Sequence, residues 1–181
     1  DAGEILVTGA TGGVGSLAVM LLAKIGYAVV GVSGKPDRAA WLRERGAKTV
    51  IGRDEVMDDS QRPLLSVRWA GVVDTVGGSM LASLLRSVKI DGCVAACGMV
   101  GGTDLSTTVY PFILRGVTLR GIDSAWCPMP RRRRVWDLLA GDWKLDSLDR
   151  ITTTIGLEGL PDEIEQLRGG SHVGRTVIDV R

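Results

Sequence analysis

The chain has 181 residues, 45% of them hydrophobic, with 22 basic and 21 acidic side chains and a formal net charge of +1. That length suits one sizeable domain, or one domain with an appendage, and the apolar share is enough to bury a core. The even charge argues against a nucleic-acid surface and against a polybasic membrane anchor, and no apolar run reaches the roughly 18 residues that span a bilayer.

The first element is the apolar run Ile5-Leu6-Val7, which leads into Thr8-Gly-Ala-Thr-Gly-Gly-Val-Gly15. An apolar helical pattern follows, from Val14 through Leu17, Ala18, Leu21 and Leu22 to Ile25. The order is strand, tight turn, helix. Ala10-x-Gly12-x-x-Gly15 fits the dinucleotide fingerprint, with alanine in the first position. Glycines there let the backbone approach a pyrophosphate, and the helix N-terminus offers free N–H groups and a partial positive charge. Gly26 is placed to close this helix.

A second buried-strand run, Tyr27-Ala-Val-Val-Gly-Val32, is followed by Ser33-Gly34-Lys35. In a NAD site the end of this strand usually carries a carboxylate that binds the ribose 2′-OH. Here the first carboxylate is Asp37. A hydroxyl, a backbone N–H and an ammonium favour a 2′-phosphate, so the loop predicts NADP(H) rather than NAD(H).

Pro36 opens a helix over 37–45, closed by Gly46. Strands are then predicted near 48–51, 71–76, 91–96 and 117–121, and helices near 79–87 and 131–141. The strands are continuous apolar runs, as in Gly71-Val-Val-Asp-Thr-Val76. Such runs suit a parallel sheet covered on both faces, so the fold expected is α/β, a Rossmann-like doubly wound parallel sheet. The run Arg131–Arg134 reads as the solvated first turn of a helix whose apolar stripe is Val135, Leu138 and Leu139; the sharper alternative is a contact with an anionic substrate tail.

After about residue 146 the pattern changes. Ile151-Thr-Thr-Thr-Ile155 reads as a strand, a helix is expected near 162–168, and Gly174-Arg-Thr-Val-Ile-Asp-Val180 reads as a last strand. Six strands already fill the doubly wound order, so these two are expected to belong to a second lobe. The division is 1–145 for the nucleotide-binding domain and 146–181 for the tail.

Cys93, Cys97 and Cys127 form no CxxC pair, and with a single histidine they do not compose a zinc site; no metal is expected. Cys93 and Cys97 lie in an apolar strand and its exit, where burial in the reduced form is expected. From Asp1 onward there is no basic segment of the kind that opens a signal peptide. A reducing, cytoplasmic setting is expected. Asp74 and Asp123 read as structural carboxylates at strand ends.

Several of these stretches together resemble the medium-chain dehydrogenase/reductase superfamily. They are Val7–Ser16, Trp69-Ala-Gly-Val-Val-Asp-Thr-Val-Gly-Gly78, Val94-Ala-Ala-Cys-Gly98, Pro111-Phe-Ile-Leu-Arg-Gly-Val117 and Gly121-Ile-Asp-Ser124. The combination is most similar to its zinc-independent acryloyl-CoA reductase branch, also known as quinone oxidoreductases. The resemblance implies reduction of an α,β-unsaturated acyl-CoA or enone with NADPH. It implies that Thr11, Gly12, Gly13 and Val14 form the pyrophosphate turn, and that Ser33, Gly34 and Lys35 form the 2′-phosphate pocket with Arg53 beside the adenosine. It places Cys97, Ile113 and Ser124 toward the nicotinamide, and Arg175 in a C-terminal Gly-Arg pair. It also implies a homodimer joined through the edge strand near 117–121, with neither nucleic acid nor membrane as partner. Family members begin with a GroES-like lobe of more than a hundred residues, to which the C-terminal tail returns; the 181 residues contain no such lobe. A short-chain-type reductase or a non-catalytic NAD(P)-binding module is the alternative. The short-chain Tyr-x-x-x-Lys pair is absent: Tyr110 is followed four residues on by Leu114, and Tyr27 by Gly31.

Overall fold

A computed structural model describes residues 3–181; Asp1 and Ala2, where the reading of a leader begins, lie outside the described residues. Six parallel strands form one sheet: β1 (Glu4–Val7), β2 (Ala28–Val32), β3 (Ala47–Ile51), β4 (Trp69–Asp74), β5 (Val88–Ala96) and β6 (Thr118–Gly121). Their order is β3-β2-β1-β4-β5-β6. This is the doubly wound arrangement that the continuous apolar strands predict.

Strand alternation sends successive side chains to opposite faces. On one face Leu6, Val30, Val32, Val72 and Val94 pack against Met80, Leu81, Leu84 and Leu85 of α3 (Gly78–Leu85). On the other, Val7 and Val29 pack against Val19 of α1 (Gly13–Lys24) and Leu42 of α2 (Ala39–Arg43). Each fully buried aliphatic side chain here contributes about 1.5–3 kcal/mol. A short 3₁₀ turn, Pro36–Arg38, leads into α2, so the predicted helix over 37–45 is shorter and begins in a tighter coil. The backbone N–H groups of Gly26 and Gly46 bond the carbonyls of Ala23 and Arg43, each at 3.0 Å, where the two helices were expected to close.

The helix α4 (Tyr110–Arg115) was not read from the sequence. It has six residues, too few for a helical period to declare itself. Past β6, α5 (Met129–Ala140) contains Arg131–Arg134, and none of its residues is buried. The arginine run thus lies in the early part of an exposed helix.

In the tail, β7 (Thr152–Gly156) and β8 (Arg175–Asp179) flank α6 (Leu160–Arg168). They pair with each other, in parallel, as a separate two-stranded sheet. The Gly174 N–H donates to the Thr11 carbonyl at 2.8 Å, so the tail is tied to the glycine turn. A guanidinium N–H of Arg45, two residues past α2, also reaches the Arg150 carbonyl.

The expectation of buried cysteines needs correction: Cys93 and Cys97 are both exposed. The reason is alternation. Val94 points to the face that α3 covers, so Cys93 points the other way, and Cys97 lies beyond the strand end. All three cysteines are unpaired.

Candidate functional site

A cavity of about 550 Å³ opens at the carboxyl ends of β1, β2 and β4. Sheet order reverses between β1 and β4, and open α/β sheets bind ligands at that switch point. The cavity is lined by Thr11, Gly12, Gly13 and Val14 from the turn, by Ser33, Gly34 and Lys35 from the loop after β2, and by Arg53 after β3. Eight of the sequence-predicted site residues therefore meet in one place.

The turn owes its shape to two glycines with different duties. A Cβ on Gly15 would stand 2.2 Å from the Gly9 carbonyl oxygen, so a side chain there collides with backbone. A Cβ on Gly12 would meet only that oxygen, at 3.3 Å, and otherwise stand in the cavity. Gly12 is the N-cap residue of α1, so an anion above it would face the free N–H groups of the first turn.

The second cluster is cationic. The Lys35 backbone N–H donates to Ser33 Oγ at 3.0 Å, which fixes the loop. The Arg53 guanidinium lies over Gly34: a Cβ on Gly34 would be 2.7 Å from Arg53 Cζ. Lys35 Nζ donates to the His172 carbonyl at 2.9 Å and to Thr11 Oγ1 at 3.4 Å. Burial, and then the neighbouring Arg53 charge, hold the Lys35 ammonium below the usual lysine range. Lys35 and Arg53 line the cavity, and no carboxylate among the described residues does. The arrangement is suited to an extended ligand with an anionic group at the turn and another at the end of β2.

Arg175 is also brought to the turn. A Cβ on Gly13 would lie 2.7 Å from its Cζ, so the guanidinium covers that glycine. Cys97, Ile113 and Ser124 are not part of the cavity lining. Cys97 follows β5, its backbone N–H bonded to the Asp74 carbonyl at 2.8 Å. Desolvation, and then the Asp74 charge, push its thiol up from the ordinary value, which disfavours a thiolate. Ile113 is 70% exposed on α4, and the Ser124 carbonyl accepts from Arg132 at 2.7 Å.

Sequence reasoning missed the second wall of the cavity, made by Thr75, Val76 and Gly77 after β4, and by Leu167, Gly170 and His172 from the tail. The former had a signal in Asp74-Thr-Val-Gly-Gly78, a strand running into glycines. Asp74 is fully buried. It accepts from Thr8 Oγ1 at 2.7 Å and from the Gly77 N–H at 2.8 Å, which locks the two strand ends together. That is the structural role expected for it. Asp123 accepts the Trp126 N–H at 3.0 Å. Among the described residues no group of three or more His, Cys, Asp or Glu side chains is placed to hold a metal ion.

With this geometry in view, the similarities to known proteins are informative. The chain is 46% identical over 178 residues to the acrylyl-CoA reductase AcuI of Ruegeria pomeroyi, covering 98% of this chain and 54% of that one. The structure of Escherichia coli K-12 YhdH with bound NADPH superposes with a TM-score of 0.93 at 45% identity, over 99% of this chain and 55% of the other. Bacillus subtilis YhfP, solved with NAD bound, gives a TM-score of 0.93 at 44% identity, over 99% and 55%. The chain thus spans about half the length of the relatives it matches. The family described as zinc-binding dehydrogenase matches residues 13–140, a stretch that runs from the first turn of α1 to the end of α5, and the chain belongs to that family.

Proposed function

We propose that the chain is the cofactor-binding part of an NADPH-dependent reductase of α,β-unsaturated acyl-CoA thioesters such as acryloyl-CoA. The observation that carries the reading is the carboxylate-free cavity in which the glycine turn, Lys35 and Arg53 converge. NADP(H) fits those residues. Thr11, Gly12, Gly13 and Val14 with the α1 N-terminus would hold the pyrophosphate, and Arg175 would cover the turn. Ser33, Gly34, Lys35 and Arg53 would hold the 2′-phosphate through charge-assisted hydrogen bonds. Cys97, Ile113 and Ser124 would border the nicotinamide end, where side chains orient a ring and keep water away. When bound, the cofactor supplies a hydride for the substrate β-carbon.

The names of relatives support the substrate class: one is an acrylyl-CoA reductase. In this reading residues 1–145 are the nucleotide-binding domain and 146–181 return to a catalytic lobe. Two copies would join through the β6 edge, since β6 ends the sheet and an unpaired strand edge favours pairing. No described helix is long and apolar enough to cross a membrane, and three free cysteines suit a reducing cytoplasm.

The test is NADPH consumption with acryloyl-CoA, followed by absorbance, for the chain alone and coexpressed with a GroES-like lobe. Hydride transfer needs reacting atoms held within about 3–3.5 Å in a dry cleft. Turnover is expected only with the lobe. Robust turnover by the chain alone would refute the two-lobe requirement, and no turnover with the lobe would refute the reductase.

A further inference from the structure

We propose that His172 and Glu163 are positioning residues for cofactor choice: they fix the backbone carbonyl that aims Lys35 at the 2′-phosphate. The inference rests on the NADP(H) reading above. A lysine on a loop ordinarily samples many rotamers, and ordering it on ligand binding costs entropy. Here the ammonium is already placed, with Nζ 2.9 Å from the His172 carbonyl oxygen and 3.4 Å from Thr11 Oγ1. A pre-placed cation binds a phosphate more tightly than a mobile one.

The acceptor carbonyl belongs to the short connection between α6 and β8. Its own side chain holds it there. His172 Nδ1 pairs with Glu163 Oε1, and Nε2 lies 2.9 Å from the Gly174 carbonyl oxygen. The ring therefore bridges α6 to the start of β8. Glu163 Oε1 also accepts Thr176 Oγ1 at 2.9 Å, which fixes the carboxylate in turn. Both the His172 and Glu163 side chains are only 13% exposed, so the pair is shielded from competing water. On the near side the Ser171 and His172 N–H groups bond the Gln166 carbonyl at 3.0 and 3.2 Å. On the far side the Gly174 N–H bonds the Thr11 carbonyl at 2.8 Å. The connection thus meets the glycine turn and the Lys35 loop at once, and the imidazole braces it against α6. His172 is the chain's single histidine, and it also lines the cavity.

A strut that merely stabilised the fold would affect both cofactors alike. A strut that acts through Lys35 weakens the one with a 2′-phosphate more than the other. Fluorescence titrations with NADPH and NADH separate the two, on the parent chain, His172→Ala, Lys35→Ala and the double variant. His172→Ala is expected to lower the ratio of NADPH to NADH affinity about fivefold to tenfold. In the Lys35→Ala background the histidine change should cost nothing more. Glu163→Gln keeps the shape of the pair while removing its charge, and should show a smaller fall in the same ratio; it serves if His172→Ala fails to fold. Equal weakening of both cofactors, or losses that add in full in the double variant, would overturn the positioning role and leave the NADP(H) reading standing. If Lys35→Ala itself left the ratio of NADPH to NADH affinity unchanged, that reading would fall, and this inference with it.

Discussion

At the β3-β2-β1-β4 side of the sheet Leu6, Val7, Val29 and Leu42 are fully buried, whereas around β6 and α5 the side chains of Ile113, Trp126 and Trp136 remain 70%, 85% and 65% exposed. The first side is sandwiched between α1 and α2 on one face and α3 on the other. The second has a helix, α5, without a single buried residue. Both regions carry large apolar side chains, in α5 beside the Arg131–Arg134 run. What differs is whether the partner surface lies within these residues. The nucleotide end builds its own core and its own cavity. The other end presents large apolar side chains to solvent, and the dimer and lobe proposed above would cover them.

This contrast can be broken most sharply in the glycine turn. Gly15→Val forces a side chain against backbone and should destabilise the fold by more than about 3 kcal/mol, lowering the thermal midpoint and abolishing NADPH binding together. Gly12→Val should leave the melting curve close to the parent and abolish binding, because its side chain enters the cavity rather than the core. If Gly12→Val bound NADPH normally, the site would lie elsewhere.

Next in size is Lys35→Glu. Exchanging the ammonium for a carboxylate should erase or reverse the preference for NADPH, a change of about 1–3 kcal/mol, read from paired titrations. The pH dependence of the parent sharpens the same point. Burial and Arg53 hold the Lys35 ammonium below the usual lysine range. The charged form is what a phosphate favours, so raising pH removes the cation, and does so earlier than for a solvated lysine. The NADPH preference should therefore be full near neutrality and decline on the alkaline side before the ordinary lysine range is reached. A preference constant up to that range would contradict the environment assigned to Lys35.

The smallest effect belongs to the exposed flank. Trp126→Ser with Trp136→Ser should change stability by no more than about 0.5 kcal/mol and leave NADPH affinity unaltered. Self-association, measured by sedimentation, should fall. Unchanged sedimentation would remove this surface from the contact.

The same division governs what could be read from the sequence. The turn at 8–15 is legible because its chemistry is local: strand, glycines and helix are consecutive, and each residue type has a geometric reason to be there. The six strands were legible from their apolar runs, although β5 starts at Val88 rather than near 91. Lys89 and Asp91 interrupt its hydrophobic pattern, and Asp91 adopts a φ of 58°. The helix α4 was lost to its shortness, despite the start signal in Pro111 and the stop in Gly116. The burial expected of Cys93 assumed a cover on both faces of β5, and the sequence of a strand does not show which face is covered. The share of the second wall that comes from the tail was illegible for a different reason. His172 and Lys35 are 137 residues apart, and nothing local to either predicts that one carbonyl would receive the other's ammonium.

The central claim is that the loop after β2, with Arg53 and Lys35, selects a dinucleotide bearing a 2′-phosphate. Among the relatives, Escherichia coli YhdH was solved with NADPH and Bacillus subtilis YhfP with NAD. The direct measurement is a pair of fluorescence titrations of the parent chain, with NADPH and with NADH, at neutral pH and one ionic strength. The account predicts that NADPH binds tighter by about tenfold or more. Equal affinities, or tighter binding of NADH, would contradict it.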